Sequence, residues 1–258
     1  MNVFDNPPRY LGVLLLLVAA CSKQAPPAEA SADQASAAPT LAAKLEARKA
    51  ESANKATTEK LAAVETAVSE LAASGILERA VKEGDIAPNF TLPNAVGNLV
   101  TLYEQLEQGP VILTWYRGSW CPYCNLQLHD YQMALHEIHA SGAQLLAVSP
   151  ELPDSSISWK EKEELDFVVL SDVENKVARE YGIVYRIADS LAANYSKGGR
   201  TDLSEYNGDD SLELPLAVTY VIGTDCIVEY AFLNADYRKR AETSEIVDVV
   251  AKLAANAK

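Results

Sequence analysis

Two cysteines separated by two residues, in Trp120-Cys121-Pro122-Tyr123-Cys124, follow closely on the apolar run Val111-Ile112-Leu113-Thr114-Trp115-Tyr116. β-Branched and aromatic side chains in that run suit a buried strand, and Arg117-Gly118-Ser119 breaks it. Leu128, Tyr131, Leu135 and Ile138 then recur at three- and four-residue steps, which predicts a helix from Cys121 to about Ser141. Cys121 therefore stands at a helix N-terminus, with Pro122 where its missing N–H costs nothing. A thiolate there feels the positive end of the helix dipole, so its pKa falls and it becomes nucleophilic near neutral pH. Cys124 sits one turn further in, within reach to close a disulfide behind Cys121.

Other uses of such a pair fit less well. A zinc ribbon needs a second pair of ligands, and the remaining cysteines, Cys21 and Cys226, do not form one. Haem attachment needs histidine after the second cysteine, where the chain has Asn125. A structural disulfide closing so small a loop contributes little. Redox chemistry is the strongest reading, with two inert buried thiols as its rival.

The residues around the pair also carry a resemblance. Gly84-Asp85-Ile86-Ala87-Pro88-Asn89-Phe90-Thr91-Leu92 resembles the entry to a peroxiredoxin of the alkyl hydroperoxide reductase/thiol-specific antioxidant family. Tyr116 to Cys124 is similar to the peroxiredoxin-like branch of that family, and Ala147 to Glu151, Val168 to Asp172, Tyr181 to Ile183 and Asn207 to Ser211 follow in its order. The resemblance covers residues 84–258. It implies a thioredoxin-like α/β fold, with a central mixed β-sheet flanked by helices, and a disulfide cycle between Cys121 and Cys124. The implied substrate is a hydroperoxide and the implied reductant a thioredoxin-like dithiol, with no organic cofactor or metal. Peroxiredoxins carry Pro seven residues and Thr or Ser three residues before the attacking cysteine, positions held here by Thr114 and Gly118. Ser119, backbone N–H groups or Arg117 are the candidates to hold the peroxide instead. Thioredoxin-fold proteins place a cis-proline opposite the pair, where this chain has Ala217, two residues after Pro215; a trans bond is expected there. Two alternatives stay open: a thiol-disulfide oxidoreductase acting on protein disulfides, and a non-catalytic redox-sensing or partner-binding module.

Ahead of the catalytic part, Leu11 to Ala20 is an apolar run too short to span a bilayer but the length of a secretory h-region. Val18-Ala19-Ala20-Cys21 resembles a bacterial lipobox. Residues 1–20 are therefore expected to be a signal peptide, Cys21 to be lipidated, and the protein to face the periplasm, held to the outer membrane by its lipid alone. Residues 21–40 lack large apolar side chains and read as a flexible tether. Residues 41–83, rich in Ala, Leu, Glu and Lys, read as a helical extension. Leu61, Val64, Val68 and Leu71 form its main apolar stripe, Leu41 and Leu45 a weaker one, and Gly75 ends the main helix.

From residue 84 the pattern alternates between strand and helix. Strands are predicted at Phe90–Leu92, Leu99–Leu102, Val111–Tyr116, Gln144–Val148, Phe167–Leu170, Leu216–Ile222 and Ile227–Phe232. Beyond the helix at Cys121, helices are predicted at Ser155–Glu164, Glu174–Tyr181 and Ser244–Ala254. Residues 182–213 read as mostly irregular. A net charge of −14 offers no basic stripe for nucleic acid. His129, His136 and His139 read as a solvated helix face, Cys226 as a lone thiol in a hairpin turn, Asp209-Asp210 as turn chemistry, and Trp115 and Trp120 as packing.

Overall fold

A computed structural model describes residues 39–156 and 164–256. The expected signal peptide, Cys21 and nearly all of the expected tether lie outside these residues, as does most of the helix predicted at Ser155–Glu164.

Two short strands, β1 (Thr91–Pro93) and β2 (Leu99–Thr101), pair antiparallel ahead of a central sheet of five strands, whose edges are Val168–Ser171 and Val228–Phe232. β3 (Val111–Trp115) pairs in parallel with β4 (Gln144–Ser149), and β4 with β5 (Val168–Ser171). On its other side β3 pairs antiparallel with β8 (Thr219–Ile222), which forms a hairpin with β9 (Val228–Phe232). All five residues of β3 are buried, as expected of a strand covered on both faces. Its side chains alternate accordingly: Ile112 joins one core cluster, and Val111, Leu113 and Trp115 join the other. The first face is covered by α5 (Pro122–Ala140) and by α9 (Thr243–Asn256), through Leu128, Leu135, Ile246 and Val250.

The extension folds as three helices, α1 (Leu41–Lys55), α2 (Thr58–Ala73) and α3 (Ile76–Arg79). Thr40 and Thr57 cap the first two, their hydroxyls accepting from the N–H groups of Ala43 and Lys60. Gly75 takes the left-handed conformation that ends α2. The ranking of the two stripes is reversed by tertiary packing. Leu41 and Leu45 are 1 % and 5 % exposed, locked into the core against α5, whereas α2 buries no residue fully.

Three local expectations are corrected. Leu102 leaves the predicted strand to open a helix, α4 (Leu102–Leu106), packed under β3. The strand predicted from Leu216 begins only at Thr219, because Glu213–Pro215 forms a separate strand, β7, paired with β6 (Val184–Arg186). After α6 (Lys176–Glu180), residues 182–213 thus hold β6 and the short helices α7 (Asp189–Ala192) and α8 (Leu203–Asn207), and Ile187 and Leu203 form a small core with Leu214. Elements of three to five residues are too short to show a period.

Candidate redox site

β3 delivers the chain to the site and α5 begins there. Cys121 is the N-cap of α5 and Pro122 its first helical residue, as the sequence predicts. The N–H groups of Cys124 and Asn125 donate to the Cys121 carbonyl at 3.0 and 3.1 Å. The two cysteines are free thiols, both buried, Cys121 at 1 % exposure.

Each sulfur has its own arginine. Arg117 Nη1 lies 3.9 Å from Cys121 Sγ, and Arg240 Nη2 donates to Cys124 Sγ at 3.4 Å. Burial by itself raises the Cys121 pKa. It is outweighed by the hydrogen bond from the Cys124 thiol and by the charges of Arg117 and Arg240, which bring Cys121 from 9.0 down to about 5. Cys124 moves the opposite way: burial, its hydrogen bond to Cys121 and the negative charge there hold its proton on. Cys121 is thus the more readily ionised of the two thiols, and Cys124 the one that holds its proton.

Arg117 is itself 4 % exposed and forms no ion pair with a carboxylate among the described residues. Aromatic faces take that place, with its guanidinium carbon 4.2 Å from the Tyr237 ring centre and 4.9 Å from that of Trp120. Its Nη2 donates to the Tyr195 hydroxyl at 3.3 Å, and its Nε has no partner.

The family's hydroxyl position is Gly118 for a steric reason. Gly118 has φ +149°, and a Cβ there would fall 2.2 Å from Trp120 Nε1. Thr114 is turned into the sheet, bonded to the Val218 carbonyl at 3.1 Å and the Thr219 hydroxyl at 2.9 Å. The Ser119 hydroxyl donates to Glu151 Oε1 at 2.7 Å, and its N–H to the same oxygen at 2.9 Å.

Glu151 is the group that sequence reasoning left without a role. It is fully buried just beyond the end of β4, and Oε2 has no hydrogen-bond partner. Burial raises its pKa from 4.5 to about 7, against the bonds from Ser119 and with a small push from Cys121. The available signal was a carboxylate at the carboxyl end of a parallel strand, where α/β proteins build sites.

The remaining candidates lie elsewhere. His129, His136 and His139 are exposed on α5. Cys226 sits in the β8–β9 turn at φ +68° and packs against the opposite core from the cysteine pair. Asp209 accepts from the Ser211 N–H at 2.8 Å, as turn chemistry requires. Trp115 is wholly core, 4.6 Å from the Tyr181 ring, while Trp120 faces Arg117.

A five-stranded mixed sheet flanked by helices, with a readily ionised cysteine where a helix begins, is a thioredoxin-like peroxiredoxin fold. The chain belongs to the AhpC/TSA family, which residues 84–231 match. It is 32 % identical over 103 residues to peroxiredoxin Bcp of Escherichia coli K12, a match covering 40 % of this chain and 65 % of that relative's length. It is 29 % identical over 179 residues to the chloroplastic peroxiredoxin Q of Triticum aestivum, covering 69 % and 71 %. Among solved structures, peroxidoxin BcpB of Mycobacterium tuberculosis superposes with a TM-score of 0.52 at 20 % identity, over 67 % of this chain and 97 % of that one. The family match begins after α1, α2 and α3.

Proposed function

We propose that the protein is a thiol-dependent peroxidase working through a Cys121/Cys124 cycle. The Cys121 thiolate attacks the terminal oxygen of a hydroperoxide. The O–O bond breaks, the alcohol or water leaves with a proton, and Cys121 becomes a sulfenic acid. Cys124 then attacks that sulfur, water departs, and a disulfide remains. A thioredoxin-like dithiol reduces it, so that the hydroperoxide is the net oxidant and the external dithiol the net reductant. The observation that carries this reading is the ionised Cys121 beside Arg117, whose unpartnered Nε offers a donor for the peroxide. Family membership supports it. The apolar run at 11–20 and the lipobox-like sequence before Cys21 support a lipid-anchored, periplasm-facing placement at the outer membrane.

One observation favours a second reading, thiol-disulfide exchange with protein substrates: the nearby hydroxyls of Thr114 and Ser119 are both engaged elsewhere. Rapid mixing of the reduced protein with hydrogen peroxide separates the two. Loss of both thiols per peroxide consumed, abolished in Cys121→Ser and stopping at a trappable sulfenic acid in Cys124→Ser, is the expected result. Slow reaction with peroxide alongside rapid exchange with an oxidised protein would transfer the assignment to disulfide exchange.

A further inference from the structure

A cavity of about 920 Å³ opens in front of Cys121, at the upper end of the volumes that hold small ligands. Its far wall is α2. Leu61, Val64, Val68 and Leu71, a stripe that stays only partly buried, line it together with Arg117 and Trp120. The cavity's charge is opposite to that of the chain. Among the described residues, nine of the chain's 22 lysines and arginines line the cavity, against two of its 36 carboxylates. Some of these cations are spent: Arg238 holds Glu65 and Asp236, and Arg48 and Lys55 share Glu51. Lys49, Lys60 and Arg200 form no ion pair among the described residues. Two further N–H groups in the walls, Arg117 Nε and Trp120 Nε1, are buried without a partner.

An apolar wall and surplus positive charge in one cavity select for a ligand with complementary parts. We infer that this cavity binds an anionic amphiphile, a carboxylate on a long alkyl chain, with the chain against α2 and the carboxylate among Lys49, Lys60 and Arg200. The α2 stripe, Lys49 and Lys60 lie in the helical extension, ahead of the family match, and close the cavity against Arg117, Trp120 and Arg200, which lie within that match. Its substrate consequence rests on the peroxidase reading: a hydroperoxide of such an acid would reach Cys121 already bound and leave as the corresponding alcohol. Ligand binding itself does not depend on turnover.

The test is calorimetric titration of the full folded chain with decanoate, and with decyltrimethylammonium, the same chain length carrying the opposite charge, both below micelle-forming concentrations. Decanoate is expected to bind one site at least about tenfold more tightly, an advantage that shrinks with added salt. Lys49→Glu/Lys60→Glu is expected to reverse that preference, Lys49→Arg/Lys60→Arg to keep it, and Val64→Asp/Val68→Asp to abolish binding of both, with circular dichroism confirming each variant's fold. Equal affinity for the two surfactants, or absence of saturable decanoate binding by the folded wild-type chain, overturns the inference. Decanoate binding by a protein that does not consume peroxide would leave the site standing and remove only the peroxidase reading.

Discussion

The cysteine pair has two contrasting sides. Behind it, α1, α5 and α9 close into core: Leu41 and Leu45 belong to the same buried cluster as Cys121 and Cys124. The polar contacts there are short and specific, with the Thr243 hydroxyl donating to Asp130 at 2.6 Å, Lys44 pairing with the same carboxylate, and the Ala42 N–H donating to Glu242 at 2.6 Å. In front, α2 stands across a cavity, with Arg238 gripping Glu65 at 2.6 and 3.1 Å, Leu71 packed on the second core cluster and a further contact to α7, but no residue of α2 is fully buried. Two neighbouring helices of similar composition thus do different work. One fixes the sulfurs and the other bounds the space from which they are reached.

The contrast is sharpest in stability. Leu45→Ala is expected to cost about 3 kcal/mol in urea unfolding, because it empties a filled core position, and Leu41→Ala a similar amount. Val64→Ala on α2 is expected to cost under about 1 kcal/mol. Equal losses would mean that α2 is packed as tightly as α1 and that the front of the site is closed.

Glu151 lies under the site, and its protonation provides the next test. Its folded pKa of about 7 exceeds the unfolded 4.5, so the native state holds a proton that the unfolded chain releases. The associated stability is fully present below about pH 4.5 and is lost as pH rises through 7. Linkage places the loss at up to about 3 kcal/mol between pH 4.5 and 7.5. Glu151→Gln keeps an acceptor for Ser119 but cannot ionise, so its stability should fall less over that range in paired urea titrations at the two ends. A slope identical to wild type would show that Glu151 is ionised throughout.

A smaller effect is expected at the boundary between the two sides. Arg117→Met removes one of the charges that hold Cys121 ionised, while Arg240 and the Cys124 hydrogen bond remain. The pH midpoint for alkylation of Cys121 by iodoacetamide should rise by about one unit, a cost near 1.4 kcal/mol. An unmoved midpoint would assign the low pKa to the interior side alone.

The sheet and the helix after the cysteines were legible from residue pattern, because long periodic segments are local facts. The second arginine was not. Arg240 lies 116 residues from Cys124 in sequence, and only the return of the chain before α9 brings it there. Glu151 was visible as part of a motif, but its burial was not, since that depends on what packs over the end of β4. The two stripes mislead for a related reason: hydrophobic periodicity shows which face of a helix is apolar, not whether a partner is present to cover it.

Residues 237 to 240 hold all of this in register. In succession, Tyr237 stacks on Arg117, Arg238 binds Glu65 of α2, Lys239 reaches Glu46 of α1 at 2.9 Å, and Arg240 meets the Cys124 sulfur. Four consecutive positions thus read out, one after another, the first sulfur's cation, the front helix, the rear helix and the second sulfur. A slip of a single residue in this short word would exchange every assignment at once. The segment therefore tolerates substitution by like side chains far better than any change in its length.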